Sequence, residues 1–370
     1  MCLNVNNYNN LKMLKEEEEK LLESKSSQNP HDEQKGTGKT GLANLGNTCF
    51  MNSALQCLIN TSELNDFLDT GKYKLKLTKK PEALILCEWD NLRKLMWSED
   101  CTISPGGFVG SVQKVARLKN RIIFTGFSQN DLTEFLNFLT ECFHTAICRE
   151  VKMNITGNVI NDTDKMAKEC YEMMKMMYKK EYSEFLNMFF GIHVSEVKSK
   201  ESDYLSLRPE PFFNIHLPLP DKRTNITIEN CFDLYTAVEE VEGVEVDEVT
   251  KKKETCNKCI KFWNLPDVLV ITLKRFGNNQ RKNQKLVHYP IKNLNLTKYV
   301  VGYDRESYIY DLYGICNHSG NVGGGHYTAS VKCEDDKWYL FNDTSISEIK
   351  NLASLVSPKG YCFFYRKQKK

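Results

Sequence analysis

The chain has 370 residues, 41% of them hydrophobic and 26% charged, with 50 Lys and Arg against 48 Asp and Glu for a formal net charge of +2. That length suits one large multi-lobed domain or about two domains with a substantial core, and the balanced charge argues against a generic nucleic-acid binder. With no apolar leader in Met1 to Lys20 and no apolar run of spanning length, the expectation is a cytoplasmic or nuclear protein with no membrane partner, its 14 cysteines mostly reduced thiols.

Residues 1–40 read as a flexible N-terminal extension, polar and rich in Asn, Lys and Glu. Within it, Lys35 to Gly41 looks like the end of a phosphate-binding loop, but Glu33 stands where the first glycine is required and no apolar strand precedes it. From Gly41 to about position 186 the periodicity is helical. One helix begins near Cys49, with Phe50, Ala54, Leu55 and Leu58 on one face. A second begins near Ser128, read as its N-cap with Asp131 in the first turn, and carries Leu132, Phe135, Leu136, Leu139 and Phe143 at helical spacing. A third spans Asp164 to Phe190, its methionines (Met166, Met173, Met174, Met176, Met177) read as adaptable core packing. From about Phe189 onward, β-branched and aromatic runs predict strands at Phe212–Leu219, Val268–Phe276, Tyr308–Cys316, His326–Lys332, Trp338–Phe341 and Tyr361–Tyr365. Helices first and strands later indicate an α+β fold.

The chemistry concentrates in three segments. Cys49 follows the turn Leu45-Gly46-Asn47-Thr48 and opens a helix, where unpaired backbone N–H groups and the helix dipole favour a thiolate. His326 follows Gly323-Gly324-Gly325, glycines that let a substrate backbone approach closely. Asn342 and Asp343 lie after the next strand, and either can hold an imidazole in one tautomer. Asn44, five residues before Cys49, and the Cys49 backbone N–H are candidate oxyanion donors. Each feature alone has an ordinary structural explanation: a buried thiol, a turn histidine, a turn Asn-Asp pair. Together they point to a hydrolase with a cysteine nucleophile.

Six segments in order carry a family resemblance: GLANLGNTCFMNSALQCL (Gly41–Leu58), SQNDLTEFLNFL (Ser128–Leu139), LPDVLVITLKRF (Leu265–Phe276), YDLYGICNHSGNVGGGHYTASVK (Tyr310–Lys332), KWYLFND (Lys337–Asp343) and GYCFFYRK (Gly360–Lys367). Over about residues 41–366 the chain resembles the ubiquitin-specific proteases, papain-like deubiquitinating cysteine proteases. The resemblance implies a thumb at about 41–186, fingers at about 187–264 and a palm at about 265–366, with Cys49 at the cleft and His326 on the palm. It implies that Asn342 orients the histidine with Asp343 beside it, and that Asn44 serves the oxyanion. Asp131 would meet the basic tail of ubiquitin, while Gly323, Gly324, Gly325, Tyr327 and the segment Arg281 to Tyr289 would line the channel for its terminal glycines.

The implied activity is hydrolysis after the C-terminal glycine of ubiquitin, by a monomer acting on ubiquitin and ubiquitinated proteins without a cofactor. Alternatives are a weakly catalytic ubiquitin-binding module and a protease for a ubiquitin-like modifier. Many members carry two Cys-x-x-Cys pairs that bind zinc in the fingers. Cys256 and Cys259 look like one pair, but Lys198 and Glu201 replace the other, and neither His193 nor His216 has ligand spacing, so a metal-free finger is expected. Thr272, where a histidine is common, reads as a strand position of structural weight only.

Overall fold

Helix α1 (Cys49–Ile59) is buried at every one of its 11 residues. Apart from Asn52, Ser53 and Gln56 it is apolar all round, as suits a helix inside a protein, and α1 runs between a helical lobe and a large β-sheet. The structure, a computed structural model, describes residues 36–98, 100–221, 224–277, 282–304, 308–321 and 324–369. The helical lobe contains α2 (Ser62–Asp69), α3 (Glu82–Ser98), α4 (Gly106–Leu118) and α5 (Leu132–Ile147). Trp89 of α3, fully buried, packs against Phe108 of α4 and Phe143 of α5.

Helix α5 starts later than the sequence suggests. Its N-cap is Asp131, not Ser128, and the Asp131 carboxylate accepts the N–H groups of Thr133 at 2.8 Å and Glu134 at 3.2 Å. Both residues are good caps, and the carboxylate gains from the helix dipole as well. The single helix expected over Asp164–Phe190 is two, α6 (Asp162–Tyr178) and α7 (Glu184–Phe189). Between them Tyr182 exchanges both backbone hydrogen bonds with Arg149, at 2.8 and 2.9 Å, which removes the groups a continuous helix would use. Met166 is buried and Met173, Met174 and Met177 pack at core edges, but Met176 is 71% exposed and takes no part in the core.

The strands form two main sheets. The smaller contains β1 (Gly191–Ser199), β2 (Leu205–Phe212), β4 (Glu239–Glu245) and β5 (Lys253–Asn264), antiparallel in the order β2-β1-β5-β4. Helix α6 covers it through Met166, Ala167 and Cys170, packed on Ile192, Val194 and Trp263. The larger contains β3 (Asn214–Leu217), β6 (Val268–Leu273), β7 (Ile309–Asn321), β8 (Gly324–Lys332), β9 (Trp338–Asn342), β10 (Ser345–Glu348) and β11 (Gly360–Lys367). Its order is β10-β9-β8-β7-β11-β6-β3, antiparallel except for the β3–β6 pair.

Both faces of the larger sheet are covered. In β6, Val268 and Val270 enter the core shared with the helices, while Leu269, Ile271 and Leu273 enter a second core on the far face. A strand buried on both sides reads as a continuous apolar run, as VLVITL does. Thr272 of β6 is buried and accepts a hydrogen bond from Asn214 at 2.9 Å, a structural role as expected.

Of the expected flexible extension, residues 1–35 lie outside the described residues. Residues 36–40 are tied down. Thr40 is fully buried, its hydroxyl donating to the Met96 carbonyl at 2.9 Å and its carbonyl accepting from Gln56 at 2.7 Å. The polar composition of this stretch concealed that its partners are groups on α1 and α3 together with the Asp100 and Asp335 carboxylates.

Candidate active site

The turn before α1 is built around Asn44. Its Oδ1 accepts the N–H groups of Gly46 at 3.1 Å and Thr48 at 3.0 Å. Gly46 (φ 105°) and Asn47 (φ 55°) both occupy the left-handed region, which glycine and asparagine tolerate. Asn47 Nδ2 then donates to the Phe127 carbonyl at 2.9 Å, anchoring the turn to the segment before α5. These bonds make Cys49 the first residue of α1, as the sequence suggests.

The thiol state differs from expectation. Cys49 is 4% exposed, and burial pushes its thiol above its ordinary pKa, with the Asp343 charge adding to the effect. Backbone N–H groups of Tyr327, Phe50 and Cys49 itself pull the other way and do not win. Desolvation thus outweighs the helix start, and the resting sulfur is a neutral thiol that needs a base.

The candidate base, His326, is positioned by the larger sheet. The β7–β8 hairpin pairs Ser319 with His326 and His318 with Tyr327. His326 Nε2 lies 2.6 Å from Asn342 Oδ1 at the end of β9. An amide oxygen only accepts, so Nε2 carries the hydrogen and Nδ1 of the neutral ring is the proton acceptor. Meanwhile the N–H of Tyr327, the residue after His326, is directed at the Cys49 sulfur.

Asn342 and Asp343 have separate tasks. Asp343 takes φ 50°, so its side chain diverges from that of Asn342. Its Oδ2 accepts from Asn44 at 3.0 Å, its Oδ1 from Asn52 at 2.8 Å, and its carbonyl from the Leu42 N–H at 3.0 Å. Asp343 therefore ties the cysteine turn to the sheet and makes no bond to the histidine. Asn44, exposed at the cleft, commits one amide hydrogen to Asp343 and keeps the second without a partner among the described residues.

The expected substrate-side residues divide. Besides capping α5, Asp131 accepts the Thr133 hydroxyl at 2.5 Å and the Tyr361 hydroxyl at 2.6 Å, so only Oδ2 keeps capacity for a basic group. Gly324 is exposed, and Gly325 is half-buried. Tyr327 does not offer its ring to the cleft. The ring is 8% exposed and packs on His318 with centroids 4.6 Å apart, because an odd-numbered β8 side chain points into the core beside Ala329 and Val331. Gly323 and Arg281 lie outside the described residues, while Tyr289 is buried with its hydroxyl donating to the Leu355 carbonyl.

Five residues at or beside the site were not singled out from sequence. Asn52 was detectable as a polar residue on an otherwise apolar helix, and the same signal marks Gln56. Gln129, inside a segment whose resemblance was noted, bonds both backbone groups of Gly325. Tyr361 looked like ordinary strand core. His318, buried beside Lys282 and against Phe276, Tyr327 and Tyr361, has its pKa lowered to about 4 by burial and by that lysine, so it is neutral.

No metal-ligand cluster of three or more His, Cys, Asp or Glu occurs among the described residues. Cys256 and Cys259 sit three apart in the continuous strand β5, opposite Ser199 and Glu196 respectively. Residues three apart in a strand point to opposite faces, so this pair cannot grip one ion. His193 stacks on Phe212 and His216 belongs to β3, away from both thiols.

Comparison with known proteins is consistent with this geometry. The sequence profile of the ubiquitin carboxyl-terminal hydrolase family matches residues 40–365. Ubiquitin carboxyl-terminal hydrolase 2 of Bos taurus is 30% identical over 366 residues, covering 93% of this chain and 58% of that protein. Usp2 of Drosophila melanogaster is 32% identical over 351 residues, covering 93% and 36%. The chain thus spans between 36% and 58% of the length of these relatives. Among solved structures, the SAGA Ubp8/Sgf11/Sus1/Sgf73 DUB module bound to ubiquitin aldehyde aligns with TM-score 0.69 at 22% identity, covering 99% of this chain and 76% of that one. That likeness shows the fold: the papain-like α+β arrangement expected from the sequence.

Proposed function

The chain belongs to the ubiquitin carboxyl-terminal hydrolase family, and on that premise we propose that it is a thiol hydrolase cleaving the peptide or isopeptide bond after the C-terminal glycine of ubiquitin. The observation that carries this reading is the His326–Asn342 bond of 2.6 Å on a strand whose next N–H faces the Cys49 sulfur.

In the proposed reaction His326 Nδ1 takes the Cys49 proton as the sulfur attacks the glycine carbonyl carbon. The resulting oxyanion receives the Cys49 backbone N–H and the second amide hydrogen of Asn44. Collapse breaks the C–N bond, and the imidazolium gives its proton to the departing lysine amine. A water then attacks the thioester, losing its proton to His326, and the thiol is regained as the ubiquitin carboxylate leaves. Asn342 keeps the ring in the tautomer that both halves need. Asp343 acts by holding Asn44 and the helix start in place. In this reading residues 41–186 act as thumb, 187–264 as fingers and 265–366 as palm. Asp131 uses the remaining capacity of Oδ2 for a basic residue of the tail. The partners are ubiquitin and ubiquitinated proteins, and the enzyme acts as a monomer in the cytoplasm or nucleus.

Hydrolysis of fluorogenic C-terminal amides of ubiquitin and of ubiquitin-like modifiers tests the substrate class. Fastest turnover on ubiquitin is expected; a faster modifier would replace it, and ubiquitin binding without turnover would leave only a binding module.

A further inference from the structure

The outer edge of β8 is open next to the nucleophile. Pairing of β8 with β9 runs only from Ala329↔Phe341 to Lys332↔Trp338. In a strand, residues two apart direct their backbone groups to the same edge, so Gly325 and Tyr327 face the side that β9 has left. The Tyr327 N–H is turned to the Cys49 sulfur. Both backbone groups of Gly325 are occupied by one side chain: its N–H donates to Gln129 Oε1 at 3.0 Å, and its carbonyl accepts from Gln129 Nε2 at 3.2 Å.

A primary amide offers a donor and an acceptor in one plane, as a peptide unit does. We propose that Gln129 is a latch that stands in for substrate backbone on the β8 edge, and that the extended C-terminal tail of ubiquitin displaces it to pair with Gly325 as an added strand. The proposal rests on the deubiquitinase reading above. Strand addition to an open edge is a common mode of peptide recognition, and here it carries the tail past Gly325 toward the cysteine.

Three further observations agree. Gln129 is exposed and precedes the α5 cap, so it can swing away without disturbing the core. The position it pairs with must be glycine, because a Cβ on Gly325 would fall 2.3 Å from His318 Nε2 and 2.8 Å from the Ser319 carbonyl oxygen. The buried His318 ring therefore acts as a floor that holds the edge flat. The latch also joins the helical lobe to the larger sheet across the cleft, so its release opens the route that the substrate uses.

The test uses the full chain, wild type and Gln129→Ala, with ubiquitin bearing a C-terminal vinyl methyl ester as the probe. Loss of the latch should raise the second-order rate of capture by up to about tenfold, the scale of exchanging one or two neutral hydrogen bonds. Alkylation of Cys49 by iodoacetamide should be equal in the two proteins. The Gly325 amide should exchange with deuterium faster in free Gln129→Ala than in free wild type, and regain protection once ubiquitin is attached. Gln129→Leu, which keeps bulk without the pairing groups, should behave like the alanine variant. Capture that is unchanged or slower in both variants overturns the latch, as does a Gly325 amide that stays unprotected in the captured variant. A wild type that the probe does not capture refutes the hydrolase reading instead, while Gly325 exchange in the free proteins still tests the latch contact.

Discussion

The cysteine seam and the tip of the smaller sheet are both held by polar clusters, yet they are finished differently. At the seam, Asp343 binds Asn44, Asn52 and the Leu42 N–H, and Asn342 binds His326. Working groups remain open there, the second Asn44 hydrogen and His326 Nδ1, and the buried Asn52 Oδ1 of the frame also lacks a hydrogen-bond partner among the described residues. At the tip, buried Glu254 accepts from Ser199 and from Ser202 at 2.7 Å and forms an ion pair with Lys252 at 2.5 Å, while Ser199 accepts the N–H groups of Glu201 and Ser202. That cluster closes on itself. It occupies the strand that carries Cys256. The seam keeps groups free to act on a substrate, whereas the tip spends its hydroxyls and carboxylate on one another.

The contrast can be broken most sharply at Asn44. Asn44→Ala should lower kcat by roughly 10²–10³, the cost of an oxyanion donor, and turnover near wild type would reduce Asn44 to a loop anchor. Asn342→Ala should cost about 10–100-fold, as is typical when a partner that orients a histidine is lost. Its KM should hardly move, and a rise in KM alone would put Asn342 on the substrate instead.

His318 sharpens the contrast through pH. With a folded pKa of about 4 against an ordinary 6.5, it stays neutral in the fold while the unfolded chain takes up a proton. Stability should therefore fall as pH drops from about 6.5 toward 4, by at most about 2 kcal/mol between pH 7 and 5. Urea titrations of wild type and His318→Phe at both pH values check this. An equal pH loss in the two proteins would contradict it.

The smallest effect belongs to the tip. Hydrogen bonds from Lys252, Ser199 and Ser202 hold the Glu254 carboxyl down at about 2, so its contribution is present above about 4.5 and lost only as pH falls through 2. Glu254→Gln should lower Tm modestly at neutral pH and leave kcat alone, and purified protein should hold no stoichiometric zinc. One zinc per chain, or a kcat that falls with Tm, would erase the difference between the two regions.

Much of this was legible in the sequence where local pattern and chemistry coincide. Cys49 at a helix start, His326 beside its glycines and a strand within Val268–Phe276 all follow from short segments. What escaped depended on contacts made far along the chain. The break between α6 and α7 comes from pairing of Tyr182 with Arg149. The division of labour between Asn342 and Asp343 comes from one positive φ and from two asparagines nearly 300 residues away, with 299 and 291 residues separating Asp343 from Asn44 and Asn52. The neutral state of Cys49 comes from burial, which no local motif reports. The orientation of Cys256 and Cys259 escaped for a related reason: their spacing resembles a metal knuckle, but the strand they occupy turns them apart.

The central claim is that Cys49 is a nucleophile for the ubiquitin C-terminus. Intact-mass analysis after mixing the protein with the ubiquitin vinyl methyl ester, followed by peptide mapping, tests it most directly. One ubiquitin per chain attached at Cys49, and none on Cys49→Ala, is the predicted result. No adduct on the wild type, or an adduct that persists in Cys49→Ala, would contradict it.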